Sequence, residues 1–156
     1  MTFVVDGAAG RLARWLRLLG FDVYYRASIT DGELIARALA EGRVILTRSS
    51  SLPETRALPA HLVLARTDLA SQLRQVFHAF RLRADPSRVF TRCSACNRPL
   101  EALEKEAARG KVPPFVYERQ ESFFSCPSCG KIFWKGTHWD RVMERVKELE
   151  LDRVDG

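Results

Sequence analysis

Four cysteines stand in two Cys-x-x-Cys pairs, "CSAC" at 93–96 and "CPSC" at 126–129, with 29 residues between them. Each pair offers two thiolates from one turn, and two such turns facing each other make the tetrahedral sulfur cage that zinc prefers. With Cys93, Cys96, Cys126 and Cys129 as ligands, no coordination position is left for a reacting water, so the expected role is structural. The separation is longer than the commonest zinc spacing, which leaves an iron site or a redox dithiol as alternatives. His138 is near enough in sequence to replace one cysteine, although a histidine near a helix start is the plainer reading.

Carboxylates form the second candidate set. Asp6 follows the apolar run "FVV", Asp31 and Glu33 come shortly after "DVYYR", and Asp68 follows "HLVLAR". If those runs are strands of an open parallel sheet, all four acids fall on its carboxyl edge, where such folds bind their ligands. Clustered there they would hold Mg²⁺ or Mn²⁺ and activate water for phosphodiester cleavage. Three of them also have a structural duty available: Asp68 as an N-cap, Glu33 closing a capping box with Thr30, Asp31 favouring a helix dipole. Asp6, before "GAAG", caps nothing obvious in the sequence. Just downstream, Arg11, Arg14 and Arg17 form a basic row, which is either a solvated helix face or a phosphate-binding one.

The elements that must position these residues alternate between two hydrophobic periods. Strands are expected at 3–6, 22–26, 43–47 and 61–66. Between them, "GRLARWLRLLG" puts Leu12, Trp15, Leu16 and Leu19 on one helical face and stops at Gly20, and "TDGELIARALAEG" buries Leu34, Ile35, Ala38 and Leu39 and stops at Gly42. A further helix runs from about Asp68 to Phe80. Short apolar strands separated by helices assemble as a parallel sheet covered on both sides, with right-handed crossovers. "RADPSR" (83–88) breaks the pattern as a linker, giving two expected domains, 1–84 and 85–156. The second holds the cysteine turns and a helix from Thr137 to about Leu151 that buries Trp139, Val142, Met143, Val146 and Leu149.

At 156 residues and 46% hydrophobic, the chain can bury a real core. No basic leader precedes an apolar run and no apolar stretch is long enough to span a bilayer, so a cytoplasmic protein with no membrane partner is expected. A reducing compartment also favours metal over disulfides for the cysteines. Residues 1–84 hold 12 Arg and no Lys against 7 acids, whereas 85–156 are nearly balanced. Arginine suits bidentate phosphate contacts, and codon usage explains the missing lysine equally well, so nucleic acid leads an acidic protein partner by a small margin.

The blocks "VVDGAAGRLARWLRLLGFDV", "TDGELIARALAEGRVILTR", "RCSACNRPL", "VPPFVYE" and "CPSCGKIFWKGTHWDRV" together resemble the Mut-seven C-terminal RNase domain family. The resemblance implies a PIN-like nuclease domain with a parallel sheet flanked by helices, followed by a small zinc ribbon with a C-terminal helix. It also implies a metal-dependent ribonuclease whose acids lie at the sheet's carboxyl edge, with Asp6 matching the acid after the first strand, Asp31 the acid opening the second helix, and Glu33 its close neighbour. The family typically continues its third strand as Leu-Thr-Arg-Asp, whereas this chain reads Leu46, Thr47, Arg48, Ser49. A neutral hydroxyl is a poor substitute for an anionic ligand, so metal affinity and water activation should both suffer. Asp68 or Glu54 would have to compensate.

The expected function is therefore metal-dependent RNA hydrolysis, with Asp6 and Asp31 as metal ligands or water activators, assisted by Glu33 and Asp68. Arg11, Arg14, Arg17 and Arg48 would steer phosphates, structural Zn²⁺ would sit in the four-cysteine ribbon, and RNA would be the partner. The alternative is an RNA or ribonucleoprotein adaptor that has lost catalysis through Ser49. A zinc-stabilised protein-interaction module is a third reading.

Overall fold

Phe3, Val4 and Val5 are fully buried in succession, which requires a strand covered on both faces. In the computed structural model, which describes residues 1–52 and 58–154, they form β1 (Thr2–Val5). With β2 (Asp22–Tyr25), β3 (Val44–Thr47) and β4 (His61–Val63) it makes a four-stranded sheet in the order β2-β1-β3-β4, every pair parallel. Glu54, one candidate to compensate for Ser49, lies outside the described residues.

Alternation along β1 sends its side chains into two cores. Phe3 and Val5 pack with Leu12 and Leu16 of α1 (Gly10–Leu18) and Leu73 and Val76 of α3 (Leu69–Ala79). Val4 packs with Ile45 and with Leu34 and Ala38 of α2 (Asp31–Glu41) on the opposite face. The result is the expected α/β architecture. Leu39 departs from expectation: it is 54% exposed, because it lies one position round the helix from the Leu34–Ala38 stripe. Gly20 ends the α1 segment with φ +93°, and an added Cβ would come 2.5 Å from the Arg88 carbonyl oxygen, so no larger residue fits there.

The chain passes from β1 to β2 on one side and then returns across β1 to β3. That reversal puts the fold's switch point between the carboxyl ends of β1 and β3, the place where open α/β sheets form a crevice.

The remaining residues form α4 (Lys105–Ala108), α5 (Pro114–Arg119) and an antiparallel sheet of β5 (Glu101–Leu103), β6 (Phe123–Ser125) and β7 (Ile132–Phe133). The C-terminal helix α6 (Thr137–Glu148) buries Val142 and Val146 in the same core as Leu16 and Val76, and Ala84, Val89 and Phe90 join them. Ala84 donates its N–H to the Leu151 carbonyl at 2.7 Å, and Phe90 to Leu18 at 3.0 Å. α6 stops short of Leu151 because Glu150 turns left-handed (φ +56°) and Leu151 donates back to Val146. No helix among the described residues is long and apolar enough to cross a membrane.

Candidate metal centre and carboxyl-edge site

The two cysteine pairs adopt the same turn. Asn97 and Gly130 donate their N–H groups to the carbonyls of Cys93 and Cys126, each at 2.9 Å, and Cys93 and Cys126 in turn donate to Arg98 and Lys131. The residue after each second cysteine is left-handed, Asn97 at φ +66° and Gly130 at φ +73°, and these are the two residue types that accept that conformation most readily. The turns converge until all four Sγ atoms lie within 4.8 Å of one another, with Cys93 and Cys129 3.8 Å apart. A tetrahedral zinc with bonds of about 2.3 Å sets a sulfur–sulfur edge of about 3.8 Å, so the cage is the right size. No cysteine is in a disulfide. Hydrogen bonding to Cys129 and burial push the Cys96 thiol up to about 12. Cys126 is lowered to about 7, because the N–H groups of Cys129 and Ser128 outweigh the effect of its burial. His138 is not part of the cage; its ring packs against Phe90 with centroids 5.2 Å apart.

The acids fall where the topology dictates: Asp6 after β1, Asp31 and Glu33 at the start of α2, Asp68 just before α3. They are not drawn into a cluster, since among the described residues the cysteines are the one gathering of three or more potential metal-ligating side chains. Three of the four are engaged in local structure. Asp6 is only 8% exposed, and it does cap something: its Oδ1 accepts from Ala8 N–H at 2.6 Å, starting a 3-10 turn over Gly7–Ala9. Its Oδ2 accepts from Thr47 Oγ1 at 2.8 Å and from the Arg48 N–H, tying the end of β1 to the end of β3 at the switch point. The cap escaped sequence reading because a single 3-10 turn has no hydrophobic period.

Glu33 closes the capping box with Thr30 and pairs with Arg26 at 2.6 Å. That hydrogen-bonded arginine, followed by the Thr30 N–H, holds its carboxyl below the usual range. Asp68 caps α3 by accepting from Ser71 N–H at 2.9 Å, which lowers its pKa as well. Asp31 is exposed and has no hydrogen bond or ion pair among the described residues. The loop leading to it passes against Gly7, where any Cβ would collide with the Ala27 carbonyl oxygen. Ser49 lies beside Asp6, donating its N–H to Thr47 Oγ1, while its own Oγ is 3.2 Å from Ser51 Oγ.

Arg11 and Arg14 are exposed on α1, and with Gly10, Tyr25 and Ala95 they line a cleft of about 450 Å³. Arg17 does not belong to that exposed row. Only 6% of it is accessible, and its guanidinium donates to the carbonyls of Val23 (3.0 Å), Ser94 (3.3 Å) and Ala95 (3.1 Å), bolting α1 to the first cysteine turn. Burial lowers its pKa, and the nearby sulfurs and Asp22 work the other way. Arg48 is half-buried with its guanidinium donating to the Leu64 carbonyl at 2.7 Å, so it braces β3 against β4.

Sequence reading did not anticipate a second set of cations. Arg14, Lys131 and Arg141 all act electrostatically on His138, and after burial they are what lowers its pKa. They come from α1, the second cysteine turn and α6. The signal was present, since Lys131 and Arg141 both lie in the block "CPSCGKIFWKGTHWDRV", but nothing in the sequence brings Arg14 to them.

Known proteins point the same way. The description "Mut7-C RNAse domain" matches residues 1–146. A human protein named exonuclease mut-7 homolog is 22% identical over an alignment that takes in 94% of this chain and 26% of that protein. The chain thus spans about a quarter of the length of the curated relative it matches. No solved structure matches it. A parallel α/β sheet with its acids at one edge, joined to a four-cysteine cage and matched along 146 residues, leads to one assignment: the chain belongs to the Mut7-C RNase domain family.

Proposed function

We propose that the protein is a cytoplasmic, PIN-like ribonuclease that hydrolyses RNA phosphodiesters at the carboxyl edge of its parallel sheet, with Asp6 and Asp31 as the working carboxylates. The observation that carries this reading is Asp31. It opens α2 at the carboxyl edge, is exposed, and is the one of the four edge acids with no hydrogen bond or ion pair among the described residues. Mg²⁺ and Mn²⁺ commonly take one or two protein carboxylates and complete their shell with water and substrate phosphates, so two acids are a sufficient donor set. The bound ion supplies Lewis acidity and lowers the pKa of the attacking water. Asp6 retains acceptor capacity on Oδ1, which takes one donor, and its hydrogen bonds hold it in place. Arg11 and Arg14 would carry the phosphates across the cleft, and Zn²⁺ in the cysteine cage would hold the first cysteine turn against α1. Glu33, Asp68, Arg17 and Arg48 would serve by fixing the elements around the crevice.

One observation favours the adaptor as a second reading: Ser49 replaces an acid next to Asp6, and its hydroxyl is turned to Ser51. Single-stranded RNA incubated with the purified protein in Mn²⁺ and in EDTA separates the two. The nuclease reading expects Mn²⁺-dependent cleavage; RNA binding with no cleavage in either condition favours the adaptor.

A further inference from the structure

A cavity of about 460 Å³ lies at the far end of the molecule from the acids. Its location follows from α3, which starts at Asp68 on the carboxyl edge and ends where Phe80 meets Phe3 and Phe77 meets Phe21, each ring pair about 6 Å apart, at the beginnings of β1 and β2. The cavity therefore opens at the amino edge, and the switch-point rule gives no reason for it.

Its lining is divided by chemistry. The floor is apolar, built from buried Phe77, Leu149 and Leu151 with the less buried Leu82 and Val154 beside them. The rim is cationic, with Arg74 and Arg81 from one face of the α3 segment and Arg153 from the C-terminal segment. One acid, Glu150, also lines it, 3.6 Å from Arg153. The guanidinium groups of Arg74 and Arg81 have no hydrogen bond or ion pair among the described residues. Two rim residues, Arg81 (φ +50°) and Glu150 (φ +56°), are also left-handed at helix ends, where glycine is the cheap choice. Arg81 thus holds a charge at the rim at a backbone cost.

We propose that this cavity binds a nucleoside monophosphate, either free or as the phosphorylated end of an RNA strand, with the base on the apolar floor and the phosphate held by Arg74 and Arg81. The volume falls in the range of small-ligand pockets. Arginine pairs bidentately with phosphate and its planar group also stacks on bases, so one rim serves both halves of the ligand. A bare anion does not need an apolar floor. The assignment is independent of hydrolysis at the opposite edge.

Calorimetric titration of the zinc-loaded full chain tests it, with AMP, adenosine, inorganic phosphate, and a short oligoadenylate carrying either a 5′-phosphate or a 5′-hydroxyl. Saturable binding is expected for AMP, for the phosphorylated strand, or for both. Binding of AMP assigns a free nucleotide, and binding of the phosphorylated strand alone assigns a strand end. Affinity should fall at least tenfold when the phosphate is missing, and at least tenfold in an Arg74→Gln/Arg81→Gln variant. Arg81→Gly should bind more weakly while melting no lower than wild type, because it removes the charge and relieves the backbone together. The proposal is overturned if adenosine or inorganic phosphate binds as tightly as AMP and the phosphorylated strand, if neither phosphorylated ligand binds, or if the arginine variants bind undiminished.

Discussion

If the proposed nuclease reading holds, Ser49 is the residue that sets catalytic strength. It sits beside Asp6, one residue past the Arg48 N–H that Asp6 accepts, so Ser49→Asp would restore a carboxylate at the crevice. Mn²⁺-dependent cleavage should rise at least about tenfold, which needs only about 1.4 kcal/mol of transition-state stabilisation. In metal-free protein the same change adds like-charge repulsion to Asp6, so stability should fall slightly in EDTA and recover in Mn²⁺. Cleavage rates and melting curves in the two conditions check both signs. The departure at Ser49 was legible only through the family resemblance, which implies an acid after Leu46-Thr47-Arg48. The embedding of Asp6 was not, since its partners Thr47 and Arg48 lie 41 and 42 residues away.

At the scale of elements, α1 carries two jobs on two sides. Arg11, Arg14 and Arg17 look like one row at a spacing of three, but three residues advance a helix by about 300°. Each step drifts back by about 60°, so Arg17 lies about 120° round from Arg11 and enters the interface with the first cysteine turn. Arg17→Met should leave carbonyls of Val23, Ser94 and Ala95 unpaired and cost about 1–3 kcal/mol in urea unfolding. An Arg11→Ala/Arg14→Ala variant should keep wild-type stability and lose RNA affinity instead. Two phosphate contacts on a single strand are worth a drop of about 1.4 in the slope of log affinity against log salt. An unchanged slope would assign both arginines to a solvated face. Helix existence was legible from periodicity, as was the capping box of Thr30 and Glu33, whereas the buried arginine depended on a contact between residues 17 and 94–95.

For the whole molecule, the cysteine cage and the α/β sheet are mechanically joined but packed in separate cores. Asn97, in the first cysteine turn, accepts from the Val23 N–H of edge strand β2 and donates to Asp22, while α6 belongs to the main core. Removing zinc should therefore release β5, β6 and β7 and leave α6 protected with the parallel sheet. Hydrogen exchange before and after chelation reads this directly, and early loss of protection in α6 would contradict it. Metal analysis should find about one zinc per chain. The parallel sheet and the cage were legible because both depend on short-range patterns, strand periodicity and Cys-x-x-Cys spacing. The return of α6 onto the first core was not, because an amphipathic stripe states that a face is buried without stating against what.

Asp31 offers the most direct test that the carboxyl edge does chemistry. It is exposed and makes no hydrogen bond or ion pair among the described residues, so Asp31→Asn breaks none there and forfeits a helix-dipole contribution of about 0.3–1 kcal/mol. Mn²⁺-dependent cleavage of single-stranded RNA should fall at least about tenfold in this variant, equivalent to about 1.4 kcal/mol, with the melting temperature nearly unchanged. Cleavage at the wild-type rate by a fully folded Asp31→Asn protein would contradict the account.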